Sequence, residues 1–388
     1  MSMSFQGYKR ADGRTGVRNL IVVMPGVLCA DVAARKIAAA TGAAYLHNPH
    51  GCGQTGADNA RTLHILSGLL ANPNVFGALI IGLGCEFLGE EQYRTAIAQK
   101  SPGKPIHYLC IQSEGGITAT VEKGVRVISK LMPEALKCKR TQCDASELIL
   151  GLECGGSDPT SGVSANVVLG EVSDRIADMG GTAVISETAE AIGAEHILLD
   201  RGATPEIGKA IYNCIRDKDA AFTALGENIR VRNPSPGNIK AGISTLEEKS
   251  LGCINKSGTR PFTALVGYGD LIKTRGAVFM DTTAFDAASV TAKIAGGCQV
   301  VAFTTGLGNP IGNAIAPVIK ITGNSDTYIK LSDMLDFDSS DTLTGNKTIA
   351  GCADELLDLI LRVCSGEPVK AELNGADVIS IDQHNMQA

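Results

Sequence analysis

Through the first third of the chain, apolar runs of four to six positions alternate with stretches of helical spacing. Runs rich in Ile, Leu and Val that end on glycine read as buried strands of a parallel sheet. On this reading Asn19 to Met24 is a strand, the Ala-rich part of PGVLCADVAARKIAAATG is a helix stopped at Gly42, and 43–47 is the next strand. A helix near 56–71, a strand at 77–83, a further helix, a strand near 106–111 and a helix near 116–132 follow. This alternation predicts a doubly wound parallel sheet.

The charged stretch KCKRTQCDAS reads as a linker, dividing the chain into an N-terminal doubly wound domain, 1–138, and a C-terminal α/β catalytic domain, 139–388. The pattern then restarts, because IIGLGCE (80–86) and ILGLECG (149–155) are near copies. A second α/β unit is expected from about 145 to 232, with a sub-boundary near 232, packed against the first. In NPSPGNIKAGISTLEEKSLG a Pro- and Gly-rich loop precedes a helix that Ser244 or Thr245 caps, with Glu247 and Glu248 in its first turn. The last third alternates strand and loop before a helix near 352–364 and a polar tail. The expected fold is α/β: two parallel-sheet units packed together, with a mixed α/β C-terminal part.

Composition narrows the function. Of 388 residues 4% are aromatic and none is Trp, so stacking platforms for bases or sugars are scarce. A net charge of −6 argues against nucleic acid or an anionic membrane as partner. The polar N-terminus does not read as a signal peptide and no apolar run is long enough to span a bilayer, so the cytoplasm is the expected location. Twelve irregularly spaced cysteines do not suggest a disulfide framework. Cys214, Cys298, Cys352 and Cys364 read as small buried hydrophobes, and Cys138 and Cys143 as linker residues.

Three cysteines differ. Cys52, Cys85 and Cys154 each follow an apolar run at a sharp turn, where ligands bind in open α/β sheets. Three thiolates with an open fourth position suit iron, as one ferrous ion or as three corners of an iron-sulfur cluster. Cys29 is a further thiol at a strand-to-helix turn, and Glu86 stands beside Cys85. The turn PHGCGQTG adds His50, a base or ligand, with Gln54 and Thr55 on a glycine-rich backbone suited to an anion. Ser157, Asp158 and Ser161 lead into a helix N-terminus able to receive a carboxylate. Asp281, Asp286, Thr304 and Thr305 offer further polar contacts, whereas Glu247, Glu248 and Lys249 by themselves read as a solvated helix face.

In order, GYKRADGRTGVRN, HGCGQTG, NPNVFGALIIGLGCE, LECGGSDPTSG, ISETAE, GNIKAGISTLEEKSLG, MDTTAFD, FTTGLG and PVIKITGN resemble the altronate/galactarate dehydratase (UxaA) family, in its large catalytic portion, from about residue 5 to 375. The resemblance implies an iron-dependent lyase, independent of NAD, that removes water from a sugar acid to give a 2-keto-3-deoxy acid. It also implies a separately encoded small subunit and an oligomeric assembly. Cys52, Cys85, Cys154, Glu187, Glu190, Glu248, Lys249 and Asp281 stand inside matching motifs. Leu307 replaces an arginine of the family pattern, and LDFDSS departs from it at Asp338, Ser339 and Ser340. For the base the expectation is Lys249, then His50, because burial beside a cation lowers a lysine pKa toward neutrality; Glu248 stands beside Lys249. Gln54, Thr55, Ser157, Asp158, Asp281, Thr304 and Thr305 are the expected substrate contacts. The alternatives are a C–S lyase of sulfolactate type and a non-catalytic ligand-binding paralogue.

Overall fold

The computed structural model describes residues 3–384. Its N-terminal sheet runs in the order Ala44–Tyr45, Leu20–Pro25, Val75–Gly82, Ile106–Cys110, with every pairing parallel. Helices Asp31–Thr41 and Ile117–Lys137 cover one face, where Ile37, Ile128 and Leu131 pack on Val23, Leu79 and Ile81. The first of these helices stops at Gly42 as the sequence predicts: at φ 71 the glycine turns the chain left-handed and bonds back to the Ala38 carbonyl.

The second sheet has seven strands, in the order Phe262–Val266, Gly276–Met280, Thr182–Ile185, Ile149–Cys154, Val300–Thr304, Val318–Thr322, Phe337–Asp338, again all parallel. Strands from both sides of residue 232 join in this sheet. The segment 145–232 contributes only the two central strands, which cannot bury both faces by themselves, and the last third supplies the flanking ones. Helices Asn166–Asp178 and Ile349–Cys364 close one face through Val168, Val172, Leu356 and Ile360.

Between the sheets lie helices Gly56–Ala71 and Asp286–Ala295. Their Leu66, Leu69, Val290 and Ile294 share a core with Met24 and Ile80 of the first sheet and Val184, Val301 and Phe303 of the second. Gly68 permits the close approach, since a Cβ there would lie 2.6 Å from the Ala295 carbonyl oxygen. The Asn72 amide donates to the carbonyls of Ile294 and Cys298 at 2.8 and 3.0 Å, and the Asn74 amide to those of Gln299 and Ile315 at 2.9 and 3.0 Å.

The stretch read as a linker is partly a strand. Thr141–Asp144 pairs antiparallel with Ser4–Lys9, which also carries Thr15–Gly16 on its other edge. Of those four residues only Cys143 is buried, beside Phe5, so no alternation marks the strand in the sequence. No helix among the described residues is long and apolar enough to cross a membrane.

Candidate active site

The carboxyl ends of the seven-stranded sheet gather an unusual number of buried charges. Cys154 is the last residue of its strand, Glu187 lies two beyond Ile185, and Thr304 ends the strand next to Cys154. Strand order reverses here, since Ile149–Cys154 has its sequence successor on one side and a much later strand on the other. The two loops are laced together: Gly155 N–H donates to the Thr304 carbonyl at 3.1 Å, and Gly306 and Leu307 N–H to that of Gly156 at 3.1 and 2.8 Å.

Lys256 sits at the centre of one cluster. Its ammonium lies 2.7 Å from Glu187 Oε2 and donates to the sulfurs of Cys154 at 3.1 Å and Cys253 at 2.8 Å. Cys154 Sγ donates to Cys253 Sγ over 3.5 Å. That bond pushes the Cys253 thiol down, with Lys256 helping, and the Cys154 thiol well up. Burial pulls Lys256 down, but the two sulfurs and Glu187 outweigh it and raise its pKa well above the usual lysine value. Cys154, Glu187 and Cys253 hold their ligand atoms within 4.8 Å of one another. This group already surrounds a cation, the Lys256 ammonium.

A second group shares Glu187. Glu153, Glu187 and Asp286 also bring one oxygen each within 4.8 Å of one another. Glu153 is paired with buried Lys293 and accepts from Ser289 Oγ at 2.9 Å. Its other oxygen, and Glu187 Oε1, are buried without a hydrogen-bond partner. Asp286 is packed so tightly over the strand end that a Cβ on Gly155 would lie 2.2 Å from its Oδ2. Burial, then the neighbouring Glu187 and Glu190, push its pKa up to about 7. Glu153 and Glu187 are each paired with a lysine, yet each keeps one buried oxygen without a partner, and an all-oxygen donor set suits a hard divalent ion. By that test the carboxylate trio fits a metal better than the trio filled by Lys256. Lys320, two strands from Glu153 on the same face, is fully buried and its ammonium has no hydrogen-bond partner; the Nζ lies 3.6 Å from the centre of the Phe303 ring. Burial lowers its pKa to about 7.

Several residues singled out in the sequence do meet. A cavity of about 650 Å³ is lined by Cys154, Ser157, Asp158, Glu248, Lys249 and Cys253, among others. Asp158 is saturated, accepting from Ser161 N–H and Oγ, Thr160 Oγ1 and Asn324 Nδ2. Glu248 is exposed and accepts from Ser244 N–H and Oγ, which lower its pKa and tie it to the helix start. Lys249 is not the solvated residue its EEK context suggests. Its ammonium pairs with Glu190 at 3.0 Å and donates to Asn233 Oδ1 at 2.8 Å, with both charged side chains largely buried. Burial pulls its pKa down, yet Glu190 outweighs burial and raises it. The expected shift toward neutrality is therefore reversed, because the nearest charge is an anion.

Other expected contacts are engaged elsewhere. Thr304 donates to Asn166 Oδ1 at 2.6 Å, and Thr305 Oγ1 accepts from Gly308 N–H at 3.0 Å. Asp281 accepts from Thr188 Oγ1 at 2.6 Å. Cys52 and Cys85 are exposed at the first sheet and form no group with Cys154 whose sulfurs lie within 4.8 Å of one another. Cys85 lies three residues past Gly82, whereas Cys154 is still in its strand, so the near-copied motifs give one exposed thiol and one buried one. His50 is half-buried in the first unit, does not line the cavity, and has its pKa lowered chiefly by burial. Gln54 braces its own turn through Gly51 N–H and Thr62, and Thr55 caps helix Gly56–Ala71. Glu86 accepts from the N–H groups of Leu83, Gly84 and Cys85 and from Tyr108.

The sequence reading missed Glu153, Cys253, Lys256, Lys293 and Lys320. Glu153 and Lys320 carried a signal, since each interrupts an apolar strand run of a doubly covered sheet, where a charge must be paired or functional. Cys253 and Lys256 carried none, lying at a helix end whose face is set only by the fold.

Two family models cover the chain: "D-galactarate/Altronate dehydratase, C-terminal" over residues 145–386 and "D-galactarate dehydratase/Altronate hydrolase, second domain" over 7–136. An altronate dehydratase of Bacillus subtilis is 35% identical over 97% of this chain and 77% of that protein. One of Escherichia coli is 34% identical over 95% and 75% respectively. The beta subunit of a (2R)-sulfolactate sulfo-lyase of Chromohalobacter salexigens is 33% identical over 96% of this chain and 95% of that subunit.

Proposed function

Because this chain belongs to the D-galactarate/altronate dehydratase family, we propose that it is a hydro-lyase acting on a sugar acid such as altronate or galactarate and yielding a 2-keto-3-deoxy acid. The observation that carries this reading is the cavity at the strand ends, lined by Cys154, Ser157, Asp158 and Lys249, the last paired with Glu190. Dehydration of a 2,3-dihydroxy acid needs the proton α to the carboxylate removed, the enediolate stabilised and the departing hydroxide protonated. Lys249, held protonated by Glu190, takes the donor's part: it gives the proton to the leaving hydroxyl and Glu190 steadies the charge. Backbone N–H groups around Ser157 and Gly156 receive the substrate carboxylate.

In this reading Glu153, Glu187 and Asp286 would hold a single divalent ion, with iron carried over from the family resemblance alone. When bound, it supplies Lewis-acid polarisation of substrate oxygens. A separately encoded small subunit and an oligomeric assembly remain part of the proposal, since the sulfo-lyase relative is itself named as a subunit. We keep the division at 138/139 and a cytoplasmic location on the same footing.

The near-full coverage of that subunit also favours a second reading, a C–S lyase releasing sulfite from sulfolactate. The test is incubation of the iron-loaded protein with altronate, galactarate and sulfolactate, with keto acid and sulfite measured separately. A 2-keto-3-deoxy acid without sulfite is expected. Sulfite from sulfolactate, with the sugar acids untouched, selects the second reading.

A further inference from the structure

The two thiols beside Lys256 are placed for chemistry that the dehydration does not use. Cys154 and Cys253 are buried, come from a strand end and a helix, and already lie sulfur to sulfur at 3.5 Å. Both line the cavity of about 650 Å³, although each is almost fully buried. The Lys256 ammonium, 2.8 Å from Cys253 Sγ, stabilises sulfur as an anion. A disulfide needs the sulfurs at about 2.0 Å, a modest contraction of the observed gap.

We propose that Cys154 and Cys253 are an oxidative modification site, a dithiol that hydrogen peroxide or an organic hydroperoxide closes to a disulfide. The Cys253 thiolate attacks one peroxide oxygen: an S–O bond forms, the O–O bond breaks, and the departing oxyanion takes a proton from solvent. Cys154 sulfur then attacks the sulfenic sulfur; the S–S bond forms, the S–O bond breaks, and hydroxide leaves with the Cys154 proton as water. The two thiols lose two electrons and the peroxide gains them. In the closed form Lys256 loses its thiol and thiolate acceptors and keeps Glu187. Oxidant thereby reaches the groups beside the substrate cavity; that consequence rests on the function proposed above, whereas the modification itself does not.

The test is peptide mapping by mass spectrometry. Reduced full-length protein is exposed to hydrogen peroxide, alkylated under denaturing conditions and digested without reductant. The expected result is a Cys154–Cys253 crosslinked peptide, about tenfold or more above the untreated sample and abolished by dithiothreitol. In Cys154→Ser the resolving thiol is gone, and dimedone is expected to trap a sulfenic acid at Cys253. The proposal is overturned if both thiols alkylate fully at peroxide doses that oxidise the exposed Cys29, Cys52 and Cys85, or if Cys253 proceeds to sulfinic acid in the native chain with no crosslink. Because the readout is a covalent mass, it stands whichever substrate the protein takes.

Discussion

Glu187 shows how much the site asks of one residue. It is the one non-glycine residue with positive φ among the described residues, at 66°, a conformation that costs roughly 1–2 kcal/mol. Its N–H donates to Thr282 Oγ1, and its carboxylate faces Lys256 on one side and Glu153 and Asp286 on the other. Glu187→Gln keeps the backbone and leaves Lys256 without its carboxylate, so it is expected to lower stability by about 3 kcal/mol or more in urea denaturation and to reduce bound iron. Lys249→Met leaves Glu190 buried and unpaired; keto-acid formation is expected to fall about a hundredfold or more, read from initial rates. Lys320 gives a pH-dependent case. Its folded pKa, about 7, lies below the ordinary lysine value, so the unfolded chain binds more protons between the two and stability rises with pH across that window. Below pH 7 the cost of burying the charge is fully present. Lys320→Met is therefore expected to raise the melting temperature at pH 6 by more than at pH 9; an equal change at both would contradict the assignment.

At the scale of elements, the seam between the sheets depends on two close approaches. Asn72 and Asn74 satisfy four backbone carbonyls of the second unit, and Gly68 lets its helix lie against Ala295. Asn74→Ala is expected to cost about 2 kcal/mol in chemical denaturation, because two buried carbonyls lose their donor. Gly68→Ala is expected to destabilise although alanine favours helix, since the added methyl meets backbone at 2.6 Å. The parallel strands of both units were legible, because doubly covered strands read as largely apolar runs, and the first helix stops on Gly42. The joining of the last third to the 149–185 strands was not, since strand order in a parallel sheet is set by crossovers longer than any local pattern. Three thiols after strands look alike in sequence, yet Cys154 lies inside its strand and is buried while Cys52 and Cys85 are exposed. Lys249, singled out by resemblance, lines the cavity, and its pKa direction depends on Glu190, far away in sequence.

Across the whole molecule, the second sheet carries the charges and the first supports it, with one core running between them. A chain of net charge −6 concentrates buried lysines and carboxylates, largely paired with one another, at one set of strand ends. The metal half of this account is tested by elemental analysis of protein purified without oxygen: iron without acid-labile sulfide is expected, and sulfide in proportion to iron would contradict a single ion. The central claim, loss of water through an enediolate, is tested most directly by turnover of altronate and galactarate in deuterated water, followed by NMR. The account predicts a 2-keto-3-deoxy acid carrying solvent deuterium at C3, formed by the native protein and lost in Lys249→Met. Metal-loaded protein that, with the proposed small subunit present, leaves both acids unchanged would contradict it.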